Sequence, residues 1–225
     1  MKKSIKFYSE GSDWSPGGDM PYLLNKYGFE EVRRPDQADL VVFNGGADIA
    51  TEIYDEKPIM RRIPREMSKR DAAEVELFQS CLGRGVFMLG ICRGAQLINC
   101  LSGGSLWQHV DGHGSDHDII DLNTKHIYTA TSTHHQQMIP GPDGQLIAVA
   151  NISHDKLKDG KHKTIPFAGN WGEVEGDDAE IVWYPKTRSL CIQGHPEYVP
   201  NSDFARYCIQ LIKNHYEVSN VQARA

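Results

Sequence analysis

Two short segments of the sequence hold side chains able to do covalent chemistry. In Val86-Phe-Met-Leu-Gly90-Ile91-Cys92-Arg93-Gly94-Ala95-Gln96-Leu97-Ile98, an apolar run enters a Gly-x-Cys-x-Gly turn and leaves it into helical patterning. Small residues on either side of a central nucleophile permit a sharp strand-to-helix turn that projects its side chain. A thiol there sits at a helix N-terminus, where the dipole and free N–H groups favour negative charge. The backbone N–H of Arg93 faces the space before the sulfur and can donate to an oxyanion. The same string also fits a thiol packed in a turn, so the reading depends on a base.

The second segment supplies one. Ser189-Leu-Cys-Ile-Gln193-Gly194-His195-Pro196-Glu197 is an apolar run that ends in Gln-Gly, with a histidine two residues before a glutamate. A nucleophilic thiol needs a base, and the base needs an orienting carboxylate. On extended chain, residues i and i+2 project to the same side, so His195 and Glu197 can serve together, with Pro196 restricting the backbone between them. Taken alone, His-Pro-Glu would read as a solvated surface turn. A third segment, Asn44-Gly45-Gly46-Ala47-Asp48, closes an earlier apolar run, and its glycines let backbone approach a reacting carbonyl. Gly46 N–H is the expected second oxyanion donor, opposite Arg93 N–H.

These segments need elements to hold them. Leu40–Phe43, Val86–Leu89 and Leu190–Gln193 read as buried strands, and Ser4–Ser9, Ile127–Thr131, Leu146–Ala150 and Ala179–Trp183 as further strands. Met20–Tyr27, Ala95–Leu101 and Phe204–Tyr216 read as helices. Ser68–Leu82 does too, with Ser68 and Asp71 as a capping box and Ala72, Val75, Phe78 and Leu82 along one face. Gly11–Gly18 reads as a loop, and the polar stretch Asn151–Asp178 receives no element. Alternation early and strands late predict an α/β fold with a mainly parallel sheet, helices on both faces and a strand-rich C-terminal half. Function is then expected at the carboxyl ends of the strands.

Composition narrows the class. With 225 residues the length suits one domain spanning 1–225. A 40% hydrophobic content and a net charge of −6 exclude disorder as the main state. The balance of 24 Lys+Arg against 30 Asp+Glu gives no basic field for nucleic acid. No apolar run approaches a membrane span, and Met1-Lys2-Lys3-Ser4-Ile5 lacks the apolar run of a signal peptide, so the expected location is cytoplasmic. Cys81, Cys92, Cys100, Cys191 and Cys208 form no C-x-x-C pair and predict neither a disulfide framework nor a zinc knuckle.

Together these motifs resemble the class I glutamine amidotransferase superfamily, and within it the gamma-glutamyl-gamma-aminobutyrate hydrolase branch, which is peptidase C26-like. The resemblance rests on Gly45-Gly46-Ala47-Asp48, Arg70-Asp71 with Glu74, Gly90 to Gln96, Gly103-Gly104-Ser105-Leu106-Trp107-Gln108, Thr133-His134-His135-Gln136 and Gln193 to Glu197. It implies a flavodoxin-like three-layer sandwich and thioester chemistry on a small γ-glutamyl amide. Cys92 would be the nucleophile, His195 the proton shuttle, Glu197 its orienting group, and Gly46 and Arg93 N–H the oxyanion hole. Gln96, one turn after the nucleophile, and His134, His135 and Gln136 would lie on the substrate side; for the last three a polar loop beside the site remains open.

Three alternatives stay in view. His109, Asp111, His113, Asp116 and His117 are dense in metal-ligand types, but their spacing matches no defined ligand motif; no metal or other cofactor is assigned. A glutaminase subunit serving a separate synthetase partner would share the triad, and no G-x-x-x-x-G-K-[ST] motif marks a synthetase domain in this chain. A catalytically silent binding module is disfavoured by the intact Cys, His and Glu.

Overall fold

The computed structural model describes residues 4–10, 19–150, 154–158, 161–165 and 178–222. The expected Gly11–Gly18 loop and most of Asn151–Asp178 lie outside the described residues. In chain order the elements begin β1 (Lys6–Glu10), α1 (Met20–Lys26), β2 (Glu30–Glu31), β3 (Leu40–Phe43), α2 (Lys69–Arg84), β4 (Phe87–Ile91) and α3 (Arg93–Leu101). Short strands follow: β5 (Ser105–Trp107), β6 (His109–Val110), β7 (His117–Asp121), β8 (Ile127–Ala130), β9 (Gln137–Ile139) and β10 (Gln145–Ala150). The chain continues through β11 (His154–Lys158), β12 (Lys161–Ile165), β13 (Ala179–Tyr184), β14 (Ser189–Ile192) and α4 (Asp203–Gln222).

The main sheet runs β2-β1-β3-β4-β14-β13-β10-β7-β8. From β2 to β14 neighbouring strands are parallel; from β14 to β8 they are antiparallel. This is the expected α/β architecture with a strand-rich C-terminal half. Strands β3, β4 and β14 are buried at every position, as a sheet covered on both faces requires. Alternation sorts their side chains: Leu40, Val42, Leu89 and Ile91 join the core under α1 and α4, with Leu23, Phe204 and Cys208. Val41, Phe43, Met88 and Cys191 face Phe78 of α2 and Ala95 and Ile98 of α3. Helices on both faces make three layers.

The capping box at α2 is present. Ser68 Oγ accepts from Asp71 N–H at 3.0 Å, and Asp71 Oδ2 accepts from Ser68 N–H at 2.9 Å. The buried stripe of α2 differs from the expected one: it holds Asp71, Glu74, Phe78 and Cys81, while Ala72 and Leu82 are exposed. The reason is electrostatic, because two carboxylates are drawn inward by a buried arginine on the next helix. A second sheet, β12-β11-β6, includes two strands within the stretch to which the sequence assigned no element. Among the described residues, no helix is long and apolar enough to cross a membrane.

Candidate active site

Parallel neighbours end at the same edge of a sheet, and here that edge gathers the three predicted segments. Ile91 of β4 is paired with Ile192 of β14 and Gly90 with Phe43 of β3. The residues that follow these ends are Cys92, Gln193 to Glu197, and Asn44 to Asp48. Cys92 N–H donates to Ile192 O at 2.8 Å, joining the turn to the strand that precedes the histidine.

At that turn Cys92 adopts φ 49° and ψ −109° and is the N-cap of α3. This conformation is costly for a residue with a Cβ and persists only where packing enforces it. The glycines show how. A Cβ on Gly90 would stand 2.6 Å from the backbone of Ala95, and one on Gly94 would overlap the carbonyl of Phe43. Both positions therefore let α3 press onto the sheet immediately behind the thiol. Helix α3 begins two residues earlier than the apolar pattern indicates, because the elbow itself supplies its first turn. Arg93 occupies the first helical position, where backbone N–H has no intrahelical acceptor.

His195 lies beyond β14 rather than on it, and Tyr198 N–H donates to His195 O at 3.2 Å in a turn. The expected extended i, i+2 geometry is thus replaced by a turn, which still aligns the two side chains: His195 Nδ1 lies 2.7 Å from Glu197 Oε1. His195 N–H donates to Thr131 O at 2.7 Å, the Thr131 hydroxyl donates back to His195 O, and Tyr198 stacks on the ring at 4.3 Å. The opposite ring nitrogen, Nε2, is buried without an ordinary hydrogen bond. Burial works against charge on this ring, but interaction with the Cys92 and Glu197 side chains overrides it and raises the pKa to about 11. Gly45 lies beside both ring and thiol: a Cβ there would lie 2.9 Å from His195 Cε1 and 3.7 Å from Cys92 Cβ. Cys92 keeps 7% of its surface exposed, so the site is nearly closed but not sealed.

The loop after β3 is held by a buried ion network that sequence reasoning left without a role. Arg93 Nη2 lies 2.5 Å from Asp71 Oδ1, and its Nη1 pairs with Glu74. Glu74 also takes Arg70 Nε at 3.0 Å, and Arg70 Nη2 donates to Gly45 O at 3.0 Å and Asn44 O at 3.2 Å. Two cations and two carboxylates thereby tie α2, α3 and the Gly45-Gly46 turn into one unit. Gly46 has φ +149°, and a side chain there would collide with the Arg70 guanidinium. The signal available in sequence was two acids on the inward stripe of α2.

The four substrate-side candidates part company. Gln96 Nε2 donates to Gln136 O at 3.0 Å and sits 3.4 Å from Gln193 Oε1, beside the elbow. Both polar atoms of the Gln136 side-chain amide are buried and unpartnered. His135 Nε2 is 2.8 Å from Asp48 Oδ1, and Arg62 Nη2 is 3.1 Å from its Nδ1. His134 turns elsewhere, with Nδ1 2.9 Å from Gln136 O and Nε2 3.7 Å from Glu180 Oε1. Of the sequence-dense histidine segment, only His113 and His117 join His134 and Glu180 in a buried group. His109 instead lies 3.2 Å from Arg62 and 3.2 Å from Asp111.

Residues 30–197 match the family model described as Peptidase C26. The chain belongs to the Peptidase C26 family. It is similar to the glutamine amidotransferase-like protein YvdE of Lactococcus lactis, with 30% identity over 168 residues, covering 71% of this chain and 66% of that protein. The carbamoyl phosphate synthase small chain of Campylobacter jejuni matches at 29% identity, over 56% of this chain and 29% of the relative. Among solved structures, a glutamine amidotransferase of Thermotoga maritima has a TM-score of 0.55 at 13% identity, covering 87% of this chain and 77% of the other. At that identity the likeness is one of fold: the class I glutamine amidotransferase-like α/β architecture.

Proposed function

We propose that this Peptidase C26 chain is a cysteine-dependent amidohydrolase that cleaves the side-chain amide of glutamine or a γ-glutamyl amide through a γ-glutamyl thioester. The observation that carries the reading is Cys92 at a strained elbow, beside an imidazole paired with Glu197 at 2.7 Å, on the ends of adjacent parallel strands.

The Cys92 thiol gives its proton to His195, the sulfur attacks the amide carbon, and the carbonyl π pair moves onto oxygen. N–H groups of Gly46 and Arg93 donate to that oxyanion; donors fixed in advance cost no reorganisation as charge develops. The C–N bond then breaks as His195 passes its proton to the departing nitrogen, leaving a thioester. Water adds to the thioester while His195 takes its proton, a second oxyanion forms, and the C–S bond breaks to release the acid and restore the thiol. Glu197 holds the imidazole by Nδ1 and stabilises its charged form. Gln96, His135 and the Gln136 amide bound the substrate side. His134, turned towards Glu180, acts there through the backbone of Gln136.

The purified chain alone is expected to release ammonia or an amine from glutamine or a γ-glutamyl amide. A second reading, a glutaminase subunit delivering ammonia to a synthetase partner, is favoured by the match to a carbamoyl phosphate synthase small chain. Release that appears only when such a partner is added would select it. A soluble cytoplasmic setting fits either reading.

A further inference from the structure

The buried group formed by His113, His117, His134 and Glu180 includes none of the triad or oxyanion residues, and shares with the proposed site only His134, whose link to it is the Gln136 carbonyl. Its possible ligand atoms all lie within 4.8 Å of one another. Three imidazoles aim the same nitrogen at one carboxylate oxygen: Nε2 of His113, His117 and His134 stand 3.4, 3.3 and 3.7 Å from Glu180 Oε1. Each ring is oriented through its other nitrogen. His113 Nδ1 is 3.1 Å from Asp111 O, His117 Nδ1 is 3.1 Å from Ser115 O, and His134 Nδ1 is 2.9 Å from Gln136 O.

A backbone carbonyl accepts, so each Nδ1 carries the hydrogen, and in neutral rings each Nε2 presents a lone pair. Three lone pairs would then converge on an anionic oxygen inside the protein, which repels unless a cation lies among them. Nδ1–H to a backbone carbonyl with Nε2 inward is how proteins orient histidines that bind metal. The distances to Glu180 Oε1, 3.3–3.7 Å, come close to those of a tetrahedral site, and the group as a whole, within 4.8 Å, would draw in around an ion. Bonds of about 2.0–2.1 Å in a tetrahedron place ligand atoms about 3.3–3.4 Å apart. The outer contacts are in place, since Gln137 Nε2 donates to Glu180 Oε1 at 3.1 Å and Asp178 lies 3.6 Å from His113. Glu180 Oε2 and His134 Nε2 are buried without hydrogen bonds.

We infer that His113, His117, His134 and Glu180 bind one divalent cation of the zinc class. Four protein ligands close a tetrahedral site, so its role is structural. It braces the strap that carries the active site: Ser132 Oγ donates to His113 O at 2.6 Å, Thr131 holds His195, and Gln193 N–H donates to Glu180 O at 2.8 Å. The inference stands independently of the proposed reaction, because metal content is read without turnover.

The test uses the full chain, stripped with a chelator, exposed to Zn²⁺ or Co²⁺, and desalted. One equivalent of Zn²⁺ should remain by elemental analysis, the Co²⁺ form should show the visible bands of a tetrahedral site, and Zn²⁺ should raise the melting temperature. His117→Ala and Glu180→Gln should each weaken retention about tenfold or more, while His109→Ala keeps the full equivalent. A folded wild-type chain that retains no metal, or a wild-type melting temperature indifferent to both Zn²⁺ and chelator, would overturn the inference. The cluster would then be held by a proton shared between histidine and Glu180. Loss of the metal in His109→Ala but not in His117→Ala would overturn it equally, by moving the ion to the half-buried His109 region.

Discussion

Cys92→Ala should leave the fold intact and lower kcat/KM by about 10⁴-fold or more, since removing the atom that forms the covalent intermediate abolishes the route rather than weakening it. Circular dichroism separates this from unfolding. The elbow is held by glycine packing behind Cys92, not by the sulfur, and an alanine keeps the same Cβ. The same variant carries a second readout. The imidazole of His195 has its pKa raised to about 11, against burial, by the side chains of Cys92 and Glu197. A raised value means the ring stays protonated far above the ordinary histidine range of about 6.5 and loses its proton only as pH climbs through the raised value. Without the sulfur only Glu197 remains to favour the charged ring, so its titration followed by NMR should move to lower pH. An unchanged His195 titration would show that the thiol and the ring do not interact.

The second large effect belongs to Glu74. Its carboxylate is buried against Arg93 and Arg70, and its loss leaves the Arg93 guanidinium, 3% exposed, with Asp71 as its remaining anionic partner. Breaking a buried ion pair by deleting one partner costs about 3–5 kcal/mol. For a chain of this size Glu74→Ala should lower the melting temperature by about 6–20 °C. Glu76→Ala, on the exposed side of the same helix, should change stability by no more than about 0.5 kcal/mol. Equal effects of the two would mean that the network contributes little to stability. The loss should extend to activity, because Arg70 fixes the Asn44 and Gly45 carbonyls in the turn that carries Gly46 N–H, and Arg93 opens α3, the two elements assigned to the oxyanion.

The contrast between Glu74 and Cys92 marks what the chain discloses in one dimension. Strands β3, β4 and β14 were legible because a sheet covered on both faces demands apolar runs. The motif at Cys92 was legible because a sharp strand-to-helix turn demands small residues at fixed offsets. Strands β5, β6, β7 and β9 were not read, for they span two to five residues, and β7 and β9 carry polar side chains inward. His117–Asp121, for example, buries a histidine and an aspartate beside two isoleucines. Asp71 was read as a cap and does cap, yet its second oxygen faces Arg93, a partner 22 residues away that local pattern does not reveal. Glu180 lay inside a largely apolar strand, and only the tertiary fold brings three histidines from two other segments to it. His195 and Glu197 meet through a turn rather than along an extended strand, because Tyr198 N–H folds back to His195 O.

The most direct measurement is covalent capture. The purified chain is incubated with a glutamine-like electrophile such as a diazoketone analogue, digested, and its peptides weighed by mass spectrometry. The account predicts a single adduct on the peptide containing Cys92, suppressed by excess glutamine or γ-glutamyl amide and absent from Cys92→Ala. Modification spread over Cys81, Cys100, Cys191 and Cys208, or an unlabelled Cys92 in a folded chain, would contradict it.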